Sequence, residues 1–172
     1  MGAAACAALA GVALATPPSG ILSGAIFARA GFADRVDIRF KVSGHDEHDR
    51  DHDGDRDHGR GQEVIHVRDA QDTVMQQIVI GPGGQTGWHS HPGPAVALVT
   101  AGELTLYSGD DPTCTGRSYA AGDAFVDAGQ GHVHMARNLS PTENVEVWVT
   151  YFDVPPGGSV RADAGDPGVC DF

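Results

Sequence analysis

Aromatic side chains make up only 6% of this sequence, and no segment shows the sustained 3.6-residue periodicity that a helical bundle would need. Basic residues are few as well: 11 Lys and Arg stand against 23 Asp and Glu, a formal charge of −12. So acidic a chain repels phosphate backbones and anionic lipid surfaces, and nucleic acid is not expected as a partner. The uncharged apolar run from Ala3 to Ala15 is too short to span a bilayer, so no stable membrane span is expected. Cysteine is sparse too, with three in 172 residues. What the chain has instead is 24 glycines and 10 prolines, a composition that favours short strands joined by turns.

The apolar run closes with Ala13-Leu14-Ala15 ahead of Thr16-Pro17-Pro18, the small-x-small pattern of a signal-peptidase site. Residues 1–15 are therefore expected to be a signal peptide, and the mature protein to be secreted or on the exterior of the cell envelope. The basic start usual in such leaders is missing, which leaves an ordinary terminus and a cytoplasmic protein as the alternative. Cleavage would remove Cys6 and leave Cys114 and Cys170. Two is the number that pairs, and in an oxidising compartment they are expected to form a disulfide that ties the C-terminal tail, residues 154–172, to a loop of the domain.

Residues 16–43 read as an N-terminal strand segment. Composition then changes abruptly over residues 44–61, where the run His45 to His58 carries no apolar side chain. Such a stretch buries nothing and is expected to be a solvated, disordered insertion. Asp49, Asp51, Asp53 and Gly54 match the opening of a calcium loop, but Arg60 stands where the bidentate glutamate belongs. The four histidines of this stretch offer another reading, loose gathering of transition metal for a site downstream.

Past the insertion, alternation with period two dominates, as in Val74, Gln76, Ile78 and Ile80 against Thr73, Met75, Gln77 and Val79. Further strand candidates recur at short intervals to Phe152, with turn residues between nearly every pair. The predicted fold is all-β, an antiparallel barrel or double sheet over residues 62–153 whose alternate side chains enter a shared interior.

Within it, His89 and His91 lie two apart, so on a strand both rings face the same way. The spacing returns at His132 and His134 after a glycine-rich turn. At this point the residues resemble a known family: Gly83-x5-His89-x-His91-x3-Ala95-x6-Gly102 is similar to the first cupin motif, and Gly122 through Gly131-x2-His134-x3-Asn138 to the second. The resemblance implies a jelly-roll (double-stranded β-helix) cupin barrel that binds a divalent metal at one end, with His89, His91 and His134 as ligands. Two departures stand out. Ala95 replaces the glutamate ligand of the first motif, and Gly129 occupies a place where proline is usual.

If Ala95 faces inward, Ala97 and Val99 share its face and the interior beside the metal is small and apolar. His132 is a candidate fourth ligand if the strand has already begun there; if the glycine turn still controls it, the ring points elsewhere. Three imidazoles without a carboxylate suit Fe, Zn, Mn, Ni or Cu, and residue type alone does not choose among them. Iron would suit an oxygenase acting on a small-molecule substrate, zinc a hydrolase or isomerase, and a non-catalytic cupin that binds a metal or small ligand is the alternative. Glu103, Asp127 and Tyr107 are the candidate acids or bases. Trp88, Phe125, Met135 and Trp148 are expected in the core before the pocket wall, Asn138 is expected to tie a turn, and His66 to be a structural strand residue. A homodimer is compatible with the sequence.

Overall fold

The computed structural model describes residues 15–43 and 62–172. Most of the leader, the calcium-loop half-motif and the four-histidine stretch lie outside the described residues. In chain order the strands are β1 (Ser19–Gly31), β2 (Ile38–Ser43), β3 (Gln62–Val67), β4 (Asp72–Gln85), β5 (His89–Ser90), β6 (Ala95–Ala101), β7 (Glu103–Ser108), β8 (Arg117–Ala120), β9 (Ala124–Asp127), β10 (His134–Arg137), β11 (Val145–Val154) and β12 (Ala162–Asp163). There is no helix among the described residues, and therefore none long and apolar enough to cross a membrane.

Ten strands form one sheet that curls into a nearly closed barrel, ordered β12-β5-β10-β4-β11-β6-β9, with β1 on β4 and with β7 and β8 continuing from β10. Every pairing in it is antiparallel, so each strand can present one face inward and one outward. β11 shows the result most clearly: Val145, Val147, Val149 and Tyr151 are buried, and the residues between them are less so. Ala95, Ala97 and Val99 on β6 obey the same period. Val74, Ile80, Val99, Val145 and Val154 are fully buried in the barrel core. β2 and β3 form a separate two-stranded sheet with Ser43 opposite Gln62, so residues 44–61 connect the two strands of a hairpin.

A second apolar cluster lies against the barrel's outer side, where Trp88, Met135 and Cys170 are buried together and Tyr107 and Cys114 pack on them. Trp88 and Met135 belong to this outer cluster because they alternate with His89 and His134, which point inward. Cys114 and Cys170 are joined by a disulfide with a Cα–Cα distance of 5.3 Å and a sequence separation of 56. Phe172 then meets Tyr107 edge to face, ring centroids 5.0 Å apart, with the Arg137 guanidinium 4.1 Å from its own ring centroid. Closing a loop of this length stabilises the fold by about 4 kcal/mol in the chain-entropy model. Reduction, or Cys170→Ser, is thus expected to lower the denaturant midpoint without unfolding the barrel. An unchanged midpoint would mean that packing alone holds the tail.

Candidate metal centre

His89 stands on a strand of only two residues, paired with His134 on one side and Asp163 on the other. The approach to it is fixed by Gly87, whose φ of 69° and close contact with the Thr16 carbonyl leave no room for a side chain. Thr86 receives the Ala136 N–H on its hydroxyl oxygen at 2.9 Å and donates to the Gly87 carbonyl at 3.1 Å. The Trp88 N–H is held by the Thr16 hydroxyl at 2.8 Å. The loop that carries the first two histidines is therefore anchored from both the N-terminal segment and β10.

His89, His91 and His134 converge on one point. All three are buried, their ring centroids lie 4.4 to 5.1 Å apart, and one ligand atom from each falls within 4.8 Å of the others. What each Nδ1 does decides which nitrogen is offered. His89 Nδ1 donates to the Gly87 carbonyl at 2.9 Å, and His91 Nδ1 to the Val160 carbonyl at 2.7 Å. A carbonyl only accepts, so in both rings the proton is on Nδ1 and the lone pair on Nε2. His134 Nδ1 lies 2.6 Å from Asp127 Oδ2. Neither atom has another partner, so the carboxylate holds the third ring in the same tautomer. Three Nε2 lone pairs are left facing one another in an apolar interior.

Electrostatics favour neutral rings. Burial, then the neighbouring imidazoles His134 and His91, hold His89 down to about 2 from an ordinary 6.5. Burial and His134 hold His91 at about 4. For Asp127 burial pushes the carboxyl upward, but the hydrogen bond and charge of His134 outweigh it and hold the group at about 2. At neutral pH the site is thus two uncharged rings and a third backed by a carboxylate anion. Such a donor set fits a first-row divalent ion of the imidazole-preferring kind and does not suit calcium or magnesium, which seek oxygen.

Ala95 faces inward at 2% exposure, in direct register with Asp127 across β6 and β9. A carboxylate is therefore present beside the place where the family's first motif has its glutamate, but it comes from the neighbouring strand and is spent on the back of His134. Its other oxygen accepts the Gly129 N–H at 2.5 Å. This is the carboxylate–histidine arrangement that orients a ligand ring and raises its basicity. Asp127→Asn is expected to lower metal affinity roughly ten- to a hundredfold without removing a ligand, measured by competition with a chromogenic chelator. Affinity equal to wild type would deny Asp127 this orienting part.

His132 stands apart from the three. β10 begins only at His134, because Gly129, Gln130 and Gly131 all take positive φ, of 60°, 53° and 90°. Proline, fixed near φ −65°, cannot adopt the conformation that Gly129 has. His132 consequently leaves the ladder; its Nε2 bonds the Ser108 hydroxyl at 2.8 Å and its side chain is 35% exposed. It does approach Asp127 and His134 from outside the triad, within 4.8 Å, but those two are already committed to each other.

The remaining residues singled out by sequence divide cleanly. Asp127 and Phe125 line the inner cavity of about 50 Å³ together with the three histidines. Glu103 is exposed at its turn, and Tyr107 packs in the outer cluster. Trp148, expected in the core, is only half-buried because it faces outward on β11; its ring is tilted against Phe27 with centroids 4.9 Å apart and its Nε1–H donates to Glu146 at 3.0 Å. Asn138, 1% exposed, donates to the carbonyls of Ile80, Gly81 and Glu143 and receives the Ser140 N–H, which ties the turn as expected. His66 is exposed on β3, away from the site. Nothing in the sequence marks the Gly87 and Val160 carbonyls, because every residue has a carbonyl and side-chain identity carries no sign of its use.

A curled antiparallel barrel with three inward histidines at one end defines a class, and comparison with known proteins supplies the family. Residues 76–151 match the family model of the cupin domain, and this part of the chain is a cupin domain. No curated protein matches the sequence. Similar solved structures include a conserved protein with a double-stranded β-helix domain from Klebsiella pneumoniae, at 27% identity and TM-score 0.42 over 54% of this chain and 74% of that one. Another is the polyketide cyclase RemF from Streptomyces resistomycificus, at 20% identity and TM-score 0.40 over 45% of this chain and 52% of that one. A third is an oxalate oxidase, at 26% identity and TM-score 0.41 over 47% of this chain and 41% of that one. The chain thus spans about half the length of the cyclase and less of the oxidase.

Proposed function

We propose that this protein is an exported cupin that binds one divalent first-row metal ion through His89, His91 and His134 and acts on a small molecule there, with oxygenase chemistry as the reaction class. One observation carries the reading: each of the three buried rings has its Nδ1 committed to an acceptor, which leaves three convergent Nε2 donors. A metal ion held by three imidazoles supplies a Lewis-acid centre with positions left for water, dioxygen or substrate. The chain's own part is to keep the Nδ1 protons in place through Gly87, Val160 and Asp127, and to exclude water with Ile78, Ala97, Leu106 and Phe125 around the cavity. Export is supported by the leader-like composition of residues 1–15 and by a disulfide of the kind that persists in oxidising compartments.

A second reading, a cupin that binds a metal or small ligand without turnover, is favoured by the state of the other ionisable groups in the cavity. Tyr151 donates to Gln76 Oε1 at 3.1 Å, burial raises its pKa, and Asp127 is spent on His134, so neither is a free acid or base. Elemental analysis of anaerobically purified protein, followed by oxygen-uptake screening, separates the two. Stoichiometric iron with substrate-dependent oxygen consumption supports the oxygenase. Zinc without turnover supports the binding protein, and substoichiometric metal of every kind would sink the oxygenase and leave the second reading only as a binder of a small ligand.

A further inference from the structure

A cleft of about 370 Å³ runs from His89 and His91 past Tyr151 to Arg29 and Arg161. Its side-chain polar groups are nearly all satisfied within the protein. Arg29 donates to Asp72 at 3.1 Å and to the carbonyls of Pro155 and Gly158. Gln76 donates to the Gly24 carbonyl at 3.1 Å and accepts from Tyr151, and the Ser159 hydroxyl donates to the Arg161 carbonyl at 2.7 Å. Apart from the Nε2 atoms of His89 and His91, Arg161 is the exception. Its Nε reaches Asp163 Oδ1 at 2.5 Å, but its Nη2 is buried with no hydrogen-bond partner among the described residues.

A buried guanidinium nitrogen left unpaired is costly, and the planar fork of which it is part matches a carboxylate. The group is also held in place. Asp163 fixes Nε, and the Ser159 hydroxyl accepts the Arg161 N–H at 3.0 Å while donating to the carbonyl of the same residue. Around it the cleft is apolar, with Ile21, Ile26, Ile78 and Val160 in the walls. A polyanion is disfavoured by the acidic chain as a whole and by Asp72 and Asp163 at the arginines.

We propose that Arg161 is the anchor for the carboxylate of a small monocarboxylic acid, whose apolar part lies in this cleft toward His89 and His91. The proposal rests on the histidine group being the working site, and it names the ligand class for that site. Butyrate and its neutral amide, butyramide, are the probes. Each is titrated by calorimetry into metal-free and zinc-loaded protein, as wild type, R161Q and R161K, with zinc stoichiometry and thermal midpoint recorded for each variant. The metal-free arm matters because it removes direct ligation of the acid by the ion.

In metal-free wild type, butyrate is expected to bind roughly tenfold or more tightly than butyramide. R161Q is expected to erase that preference at unchanged zinc stoichiometry, and R161K to retain part of it. Equal binding of acid and amide by metal-free wild type, the result if water alone completes the guanidinium, overturns the proposal. So does a preference that survives in folded R161Q, and R161K serves as the control if R161Q fails to fold. A wild type that takes up no zinc yet keeps the arginine-dependent preference would strike the metal reading and leave this one standing.

Discussion

Replacing His89, His91 or His134 singly by alanine is expected to leave protein that no longer carries metal through gel filtration, while His132→Ala keeps it. Each of the three rings supplies one Nε2, and an apolar cavity offers no substitute donor beside them. Removing a partner that only orients a ligand already costs roughly ten- to a hundredfold in affinity, so removing a ligand outright should cost at least about a hundredfold. The fold should survive, because each ring lies at one end of a barrel whose core is built from valine, isoleucine and alanine. Metal per chain by mass spectrometry, beside circular dichroism, checks both statements. Full stoichiometry in the His134 variant would refute the three-histidine centre, and loss of metal in the His132 variant would bring that residue back as a ligand.

Acid should destabilise the metal-free protein well before its ordinary carboxylates titrate. The unfolded chain protonates His89 and His91 near 6.5, whereas burial and the neighbouring rings hold them at about 2 and about 4 in the folded state. Between those values the unfolded state binds more protons, so stability falls as pH falls below about 6.5 and is insensitive to these groups above it. Asp127, held at about 2 against an ordinary 3.8, adds a loss of the same sign at still lower pH. From about pH 7 to about pH 4.5 the two rings together should remove on the order of 5 kcal/mol. Denaturant titrations of metal-free wild type and of the doubly substituted His89→Ala, His91→Ala protein test this. The wild type should lose stability much more steeply, and parallel profiles would refute the depressed pKa values.

Alternation made much of the barrel legible. A side chain on a strand faces where its neighbours two away face, so the sequence alone pairs His89 with His91 and groups Ala95 with Ala97 and Val99. The remaining two cysteines after leader removal pointed to the disulfide by counting alone. What alternation does not report is where a strand begins. Three consecutive positive-φ residues delay β10 to His134 and put His132 out of phase, although the His-x-His spacing is the same as at His89. Nor does it report neighbours across strands. Asp127 meets His134 from a separate strand, with six residues of turn between them, and its residue type marks it only as a candidate acid or base. Arg161 and Val160 fell in what sequence read as a tail, beyond the last barrel strand at Val154.

That tail makes one ring of the three-histidine group depend on a length of backbone. His91 is oriented by the carbonyl of Val160, six residues past the end of β11, and every amino acid carries the same carbonyl. Position 160 therefore asks the sequence for spacing more than for a side chain. Pro155, Pro156, Gly157 and Gly158 act as a measured tether whose length, counted from Val154, decides whether an acceptor arrives opposite the ring. Substitutions in it are cheap by comparison with an insertion or deletion, which would move the acceptor off His91 and Arg161 out of the cleft in one step.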